Sequence, residues 1–211
     1  MAETTGPETI GSETARPETT SLAPSRWVSR FLPGAPAGGG QVLDLAAGRG
    51  RHSRLARQRG WRVTAVDRET TPLTALAAED DGIAVREIDL EAGAAADAMQ
   101  AVGAAGPFDI VIVCNYLHRP LLPHLPAVLK PGGRLIYETF MLGNEAYGRP
   151  RNPDFLLRPG ELQAAFDGLL TLLAFEQRYE AAPTPRVVQR YAGIAAPAPA
   201  TLPPAGDRGG K

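Results

Sequence analysis

The sequence predicts an α/β fold, a doubly wound and mostly parallel sheet that ends in an antiparallel β-hairpin. Three observations predict it. Short apolar runs alternate with helical stretches between residues 25 and 140. The second and third runs each close on an acid, Asp67 and Asp89, at the edge where such sheets bind ligands. Near the C-terminus two runs, 169–178 and 186–194, are joined by Ala181-Ala-Pro-Thr-Pro185, which is too short for a crossover helix. Those two must pair antiparallel.

The elements follow in order. Residues 25–32 form a short amphipathic helix with Trp27, Val28, Phe31 and Leu32 on one side, broken by the stretch 33–40. Strand 41–45 runs into a Gly-rich turn. Helix 52–59 follows and stops at Gly60, then strand 61–66 closes on Asp67. Helix 72–78 leads to strand 83–88 and Asp89, and the Ala-rich stretch 94–101 is helical. Residues 108–114 are almost wholly apolar, as expected of a central strand covered on both faces. The stretch 121–129 reads as a helix made irregular by Pro123 and Pro126, and 134–139 is the fifth strand. Residues 140–158 show little periodicity, and 159–166 form a helix with proline at its start.

Composition narrows the class. The 211 residues suit one domain, 25–195, with tails at 1–24 and 196–211 whose Thr, Glu, Pro and Ala content reads as disordered. A net charge of −1 gives no global pull toward nucleic acid or an anionic bilayer. No apolar run approaches the ~20 residues that span a membrane. The first 20 residues lack the basic start and apolar stretch of a secretory signal, and Cys114 is the single cysteine, so a cytoplasmic location is expected. No residue set is assigned to a metal, and the sequence does not fix an oligomeric state.

The turn Asp44-Leu-Ala-Ala-Gly-Arg-Gly50 carries the chemistry. It leaves a buried strand and enters a helix whose N-terminus offers free N–H groups and a positive dipole end, a place for an anion. S-adenosylmethionine (SAM) would put a methionine carboxylate there; a dinucleotide would put a pyrophosphate there. Asp44 has a use only with SAM, whose ammonium it can hold. The dinucleotide fingerprint also asks for glycine where Ser53 stands. Asp67, 17 residues past Gly50, is placed to accept from both ribose hydroxyls of an adenosine ligand, and Asp89 from its adenine amino group.

The loop DLAAGRGRHS, the acid Asp67, IDL at 88–90, FDIVIV at 108–113 and LKPGGRLIYETF at 129–140 resemble class I SAM-dependent methyltransferases. Within these the chain is most similar to the small bacterial group related to the tellurite-resistance methyltransferases. The resemblance covers residues 25–194. It implies a Rossmann-like seven-stranded sheet in the order 3-2-1-4-5-7-6. It implies that Asp44, Ala46, Gly48 and Gly50 line the methionine moiety, Asp67 the ribose, and Asp89 with Leu90 the adenine. Asn115 and Tyr116 would face the methyl donor. The family's loop usually has glycine where Ala46 stands.

Methyl transfer from a sulfonium needs alignment more than acid–base machinery. Asn115, Tyr116 and His118 are the residues expected at the reacting group, His118 as a general base if the acceptor must lose a proton. The 140–158 segment is long for an idle loop. Tyr147, Arg149 and Arg151 in it are the expected contacts to a small-molecule acceptor, the arginines suiting an anionic one. Two other functions are open to the same loop: an NAD-dependent oxidoreductase, and a module that holds SAM or its demethylated product without catalysis.

Overall fold

The computed structural model describes residues 23–196. The two tails lie outside the described residues, apart from Ala23, Pro24 and Ala196. The elements run α1 (Arg26–Phe31), β1 (Gln41–Leu45), α2 (Arg51–Gln58), β2 (Arg62–Asp67), α3 (Thr71–Glu79), β3 (Ile83–Glu87), α4 (Ala95–Gly103), β4 (Phe108–Cys114), β5 (Leu129–Phe140), α5 (Glu161–Ala165), β6 (Leu170–Glu180) and β7 (Arg186–Ala195). They form one seven-stranded sheet in the order β3-β2-β1-β4-β5-β7-β6, the order expected. The first five strands are parallel, and β7 runs antiparallel to both β5 and β6.

Strand alternation divides the core into two layers. On the central strands Val42, Ile110 and Ile112 face Trp27, Val28 and Leu32 of the N-terminal segment, Ala56 of α2 and Leu73 and Leu76 of α3. Leu43, Leu45, Val111 and Val113 face Met99 and Val102 of α4 and Leu162 of α5 on the other side. That double duty is why 42–43 of β1 and 110–114 of β4 are wholly apolar. Asp44 interrupts β1, and it is 1% exposed.

Two elements depart from the expected form. The stretch 121–129 is a 3-10 helix spanning Arg119–Val128, with Pro123 and Pro126 inside it. Each proline lacks an N–H, so an α-helical ladder cannot close, while Leu121, Leu122, Leu125 and Val128 still bury. β5 begins earlier than 134, at Leu129, because the Lys130-Pro-Gly-Gly133 excursion sits inside the strand as a register shift between Phe108↔Leu129 and Ile110↔Arg134. Gly133 is required there: a Cβ would lie 2.8 Å from Lys130 O and 3.0 Å from Phe108 O.

Candidate functional site

The turn from β1 to α2 takes the left-handed conformation at three of five residues: Ala46 (φ 52°), Gly48 (φ 58°) and Gly50 (φ 72°). It is fastened to the end of β2. Ala47 N–H donates to Val66 O (3.0 Å), and Gly48 N–H donates to Asp67 Oδ2 (2.8 Å). The two glycines differ in purpose. A Cβ on Gly48 would meet nothing within 4 Å, so this glycine borders open space. A Cβ on Gly50 would strike Leu76 Cδ2 at 2.7 Å, so this one lets α3 close on α2.

Asp44, next to last in β1, is 1% exposed. Its Oδ2 accepts from Ser53 Oγ at 2.6 Å. Burial pushes the carboxyl up to about 7, against the pull of Ser53 and Arg51, and Asp67 adds to the rise. Ser53 is therefore more than a missing glycine: its hydroxyl is the partner of the loop's first acid. Asp67, 1% exposed at the tip of β2, also accepts from Glu69 N–H at its Oδ1 (3.1 Å). Asp89 lies exposed past β3, with Oδ1 accepting from Glu91 N–H (2.9 Å). The side chain of Leu90 is buried in the core.

Asn115 leaves β4 in the left-handed region (φ 56°), uncommon for a residue with a side chain, and its N–H donates to Glu138 O (2.8 Å). The Tyr116 hydroxyl is buried without a well-formed hydrogen bond, on the side of Glu91 and Asp89. Burial, then the charge of Glu91, pushes that hydroxyl above its ordinary range. Tyr116 thus turns its polar end to the β3 side of the site. His118 is half-buried at the start of the 3-10 helix, and its ring makes no hydrogen bond or ion pair among the described residues.

The 140–158 segment is pinned at several points. Leu142 N–H donates to Leu157 O (2.9 Å) and Leu157 N–H to Phe140 O (3.0 Å). Asn144, 1% exposed, accepts from Val187 N–H (3.1 Å) and donates to Arg149 O (3.3 Å). Tyr147 is exposed and rests on Tyr179 of β6, ring centroids 4.8 Å apart. Arg149 and Arg151 are exposed.

Two groups of residues escaped the sequence reading. Arg51, first in α2, donates to Cys114 Sγ (3.3 Å) at the end of β4 and to Ala23 O (3.2 Å). Its repetition of Arg49 across Gly50 was the available signal. Glu138, fully buried at the end of β5, accepts from Arg190 Nε (2.5 Å) and lies 3.4 Å from Arg186 Nη1. Arg190 and Arg186 continue to Glu180 (2.8 and 2.7 Å), and Arg190 to Glu176 (3.1 Å). Only the strand register reveals that network. Cys114 is no nucleophile: burial, then Glu138, pushes its thiol well above its ordinary range.

The sheet order is that of the Rossmann-like methyltransferase fold. Residues 42–133 match the family model of a methyltransferase domain. The whole sheet is similar to TehB from Haemophilus influenzae, with a TM-score of 0.60 and 15% identity over 80% of this chain and 59% of that one. It is also similar to the 1,6-didemethyltoxoflavin-N1-methyltransferase of Burkholderia thailandensis, solved with 1,6-didemethyltoxoflavin and S-adenosylhomocysteine bound. There the TM-score is 0.57, with 18% identity, over 81% of this chain and 77% of that one. A third likeness is local. The 2-keto-3-deoxy-L-fuconate dehydrogenase of Xanthomonas campestris pv. campestris is 44% identical over 80 residues, 37% of this chain and 26% of that one. The chain thus spans about a quarter of that dehydrogenase and about three-fifths of TehB.

The residues present fit SAM. Asp44 is buried with no ion pair among the described residues, a Cβ on Gly48 would meet nothing within 4 Å, Asp67 closes β2 and Asp89 lies two residues past β3.

Proposed function

We propose that this protein is a methyltransferase that takes its methyl group from SAM and delivers it to a small-molecule acceptor. One observation carries the reading. The β1–α2 turn holds Asp44 and Gly48 beside Asp67, with Gly48 N–H on the Asp67 carboxylate. Bound SAM supplies an activated methyl on a sulfonium. Asp44, Ala46, Gly48 and Gly50 hold its methionine end, Asp67 its ribose, and Asp89 with the Leu90 backbone its adenine. Asn115 faces the reacting group, with Tyr116 and His118 beside it. The chain's task there is alignment: Asn115, held by Glu138 O, fixes the floor on which the acceptor rests. Tyr147, Arg149 and Arg151 form the acceptor's outer wall, and the arginines suit an anionic group.

The dehydrogenase likeness favours a different chemistry over its 80 residues. Two features speak against that reading: the antiparallel β7 beside β5, and Ser53 committed to Asp44 where a dinucleotide turn carries glycine. Thermal unfolding with SAM, S-adenosylhomocysteine and NAD separates them, because a ligand of the folded state raises the midpoint. The first two are expected to raise it and NAD to leave it unchanged. Stabilisation by NAD alone would overturn the reading. Transfer of labelled methyl from SAM to a metabolite extract distinguishes an enzyme from a module that only holds the cofactor.

A further inference from the structure

We propose that β6 is the seam of a two-fold dimer, in which the outer edges of two copies of this strand pair antiparallel and carry the sheet from one copy into the next. The inference is independent of the cofactor reading. β6 closes the sheet at one end, and its outer side pairs with no strand among the described residues. It is eleven residues long, Leu170–Glu180, whereas β3 at the other end has five. A short edge strand is a common guard against pairing with another chain, and a long one is a template for it. β6 also carries apolar side chains into solvent: Leu172 and Leu173 are each 43% exposed and Tyr179 is 48% exposed.

The strand is complementary to itself. When a strand meets its own copy across a two-fold axis normal to the sheet, residues equally spaced from the axis pair, and each pair shares one face. With the axis at Gln177, Glu176 stands opposite the second copy's Arg178, and Phe175 opposite its Tyr179. Glu176 and Arg178 lie across from Arg190 and Val188, on the side of α1. Phe175 and Tyr179 lie across from Tyr191 and Val187, on the side of α5. Arg178 is exposed and makes no ion pair among the described residues, and the Glu176 side chain keeps 30% of its surface exposed beside Arg190. The axis doubles every pair, so this one register supplies two ion pairs and two aromatic contacts. Moving the axis to Glu176 sets that acid against itself, and moving it to Arg178 sets Glu176 against Glu180. The bulge between Leu172 and Ala174 ends the regular stretch, so residues 174–180 form the seam, and the exposed Leu172 and Leu173 come level with the second copy's apolar turn at 181–183.

Sedimentation velocity on the full chain, from about 1 to 300 μM, reads the assembly; a seam this small belongs to the weak end of specific interfaces, so a micromolar dissociation constant is expected. Arg178→Glu turns two attractive pairs into two repulsive ones and should weaken association about tenfold or more, with the circular dichroism spectrum and unfolding midpoint unchanged. Cysteine cross-linking reads the register, since Cys114 is the single native thiol and is buried. Gln177→Cys lies on the axis and should give a disulfide-linked dimer under mild oxidation. Leu172→Cys stands about ten residues, or about 33 Å, from its own copy and should not. A wild-type chain that stays monomeric throughout the range would overturn the proposal. So would a dimer that Arg178→Glu leaves intact, or one that cross-links through Leu172→Cys and not through Gln177→Cys, because the contact would then lie on another face or in another register.

Discussion

Asp44 and His52 sit at either end of the same turn, and protons act on them in opposite senses. The Asp44 carboxyl is raised from 3.8 to about 7, so its contribution to stability is complete below about pH 4 and lost as pH rises through 7. His52 accepts from Ser25 N–H at Nε2 (3.2 Å), and burial, then Arg51, holds its imidazole down near 3. Its contribution is complete above about pH 6.5 and lost as pH falls toward 3. Between about pH 4 and 6.5 the two offset each other. Asp44→Asn removes one side of that balance. At pH 8 the variant is expected to be more stable by on the order of 2–4 kcal/mol and to lose that advantage as pH falls to 4. Urea unfolding at the two pH values measures both; equal stability at pH 8 would contradict the assignment. Ala46 makes a second case. Its φ of 52° is a conformation that a Cβ disfavours, which gives a physical reason for the family's glycine. Ala46→Gly is expected to add about 0.5–1 kcal/mol of stability, readable in the same denaturation curves. At this scale the acids were legible, because a strand end followed by Gly-x-Gly fixes where they stand. Ser53 was legible only as an absence. Its partnership with Asp44 depends on the phase in which α2 leaves the turn, which sequence does not state.

The 140–158 segment stands out in the sequence for length and lack of periodicity. The structure shows a connection with anchored ends. Arg119 donates from Nε to Glu161 Oε1 (2.6 Å) and from its two other nitrogens to Asp154 O (2.6 Å) and Leu156 O (2.8 Å), clamping the 3-10 helix to the segment's far end. None of these partners lies within thirty residues of Arg119, so pattern reading could not find the clamp. Arg119→Ala removes the donor to the Asp154 and Leu156 carbonyls and leaves the partly buried Glu161 carboxylate with the Arg158 N–H, and is expected to cost about 1–3 kcal/mol. It should also speed limited proteolysis between residues 144 and 158; an unchanged digestion pattern would show that the other anchors suffice. The helix 119–128 teaches a related lesson. Its leucine spacing identified a buried helical element, and its prolines, which set the tighter winding, were visible in the same stretch.

At the scale of the whole molecule, sheet order was legible because alternation, strand-end acids and the short 181–185 turn leave few ways to arrange seven strands. The charge at the centre of the hairpin was not. Glu138, Arg190, Arg186, Glu180 and Glu176 lie on three strands, and their meeting is a product of register: Glu138 pairs with Arg190, and Arg190 with Glu176. Arg30 of α1 adds a contact to Glu176 (3.4 Å), and Trp27 donates from its indole to Tyr191 O (3.2 Å), so the N-terminal helix is tied to the last strand. Glu138→Gln leaves Arg190 buried with less than its full counter-charge and is expected to cost about 3–5 kcal/mol in chemical denaturation. A loss below about 1 kcal/mol would place the pair among the weak, exposed kind.

The position of β7 has a consequence for how the chain is made. Of the strands in this sheet, the one that leaves the ribosome last is inserted between β5 and β6, so neither neighbour has its final partner until residues 186–195 emerge. Throughout elongation β5 presents an unpaired edge, and Glu138 on it waits for an arginine still to be translated. A nascent chain halted before residue 186 holds the turn, Asp44 and Asp67 with no hairpin to close the sheet. Residues 186–195 are the segment that closes the sheet.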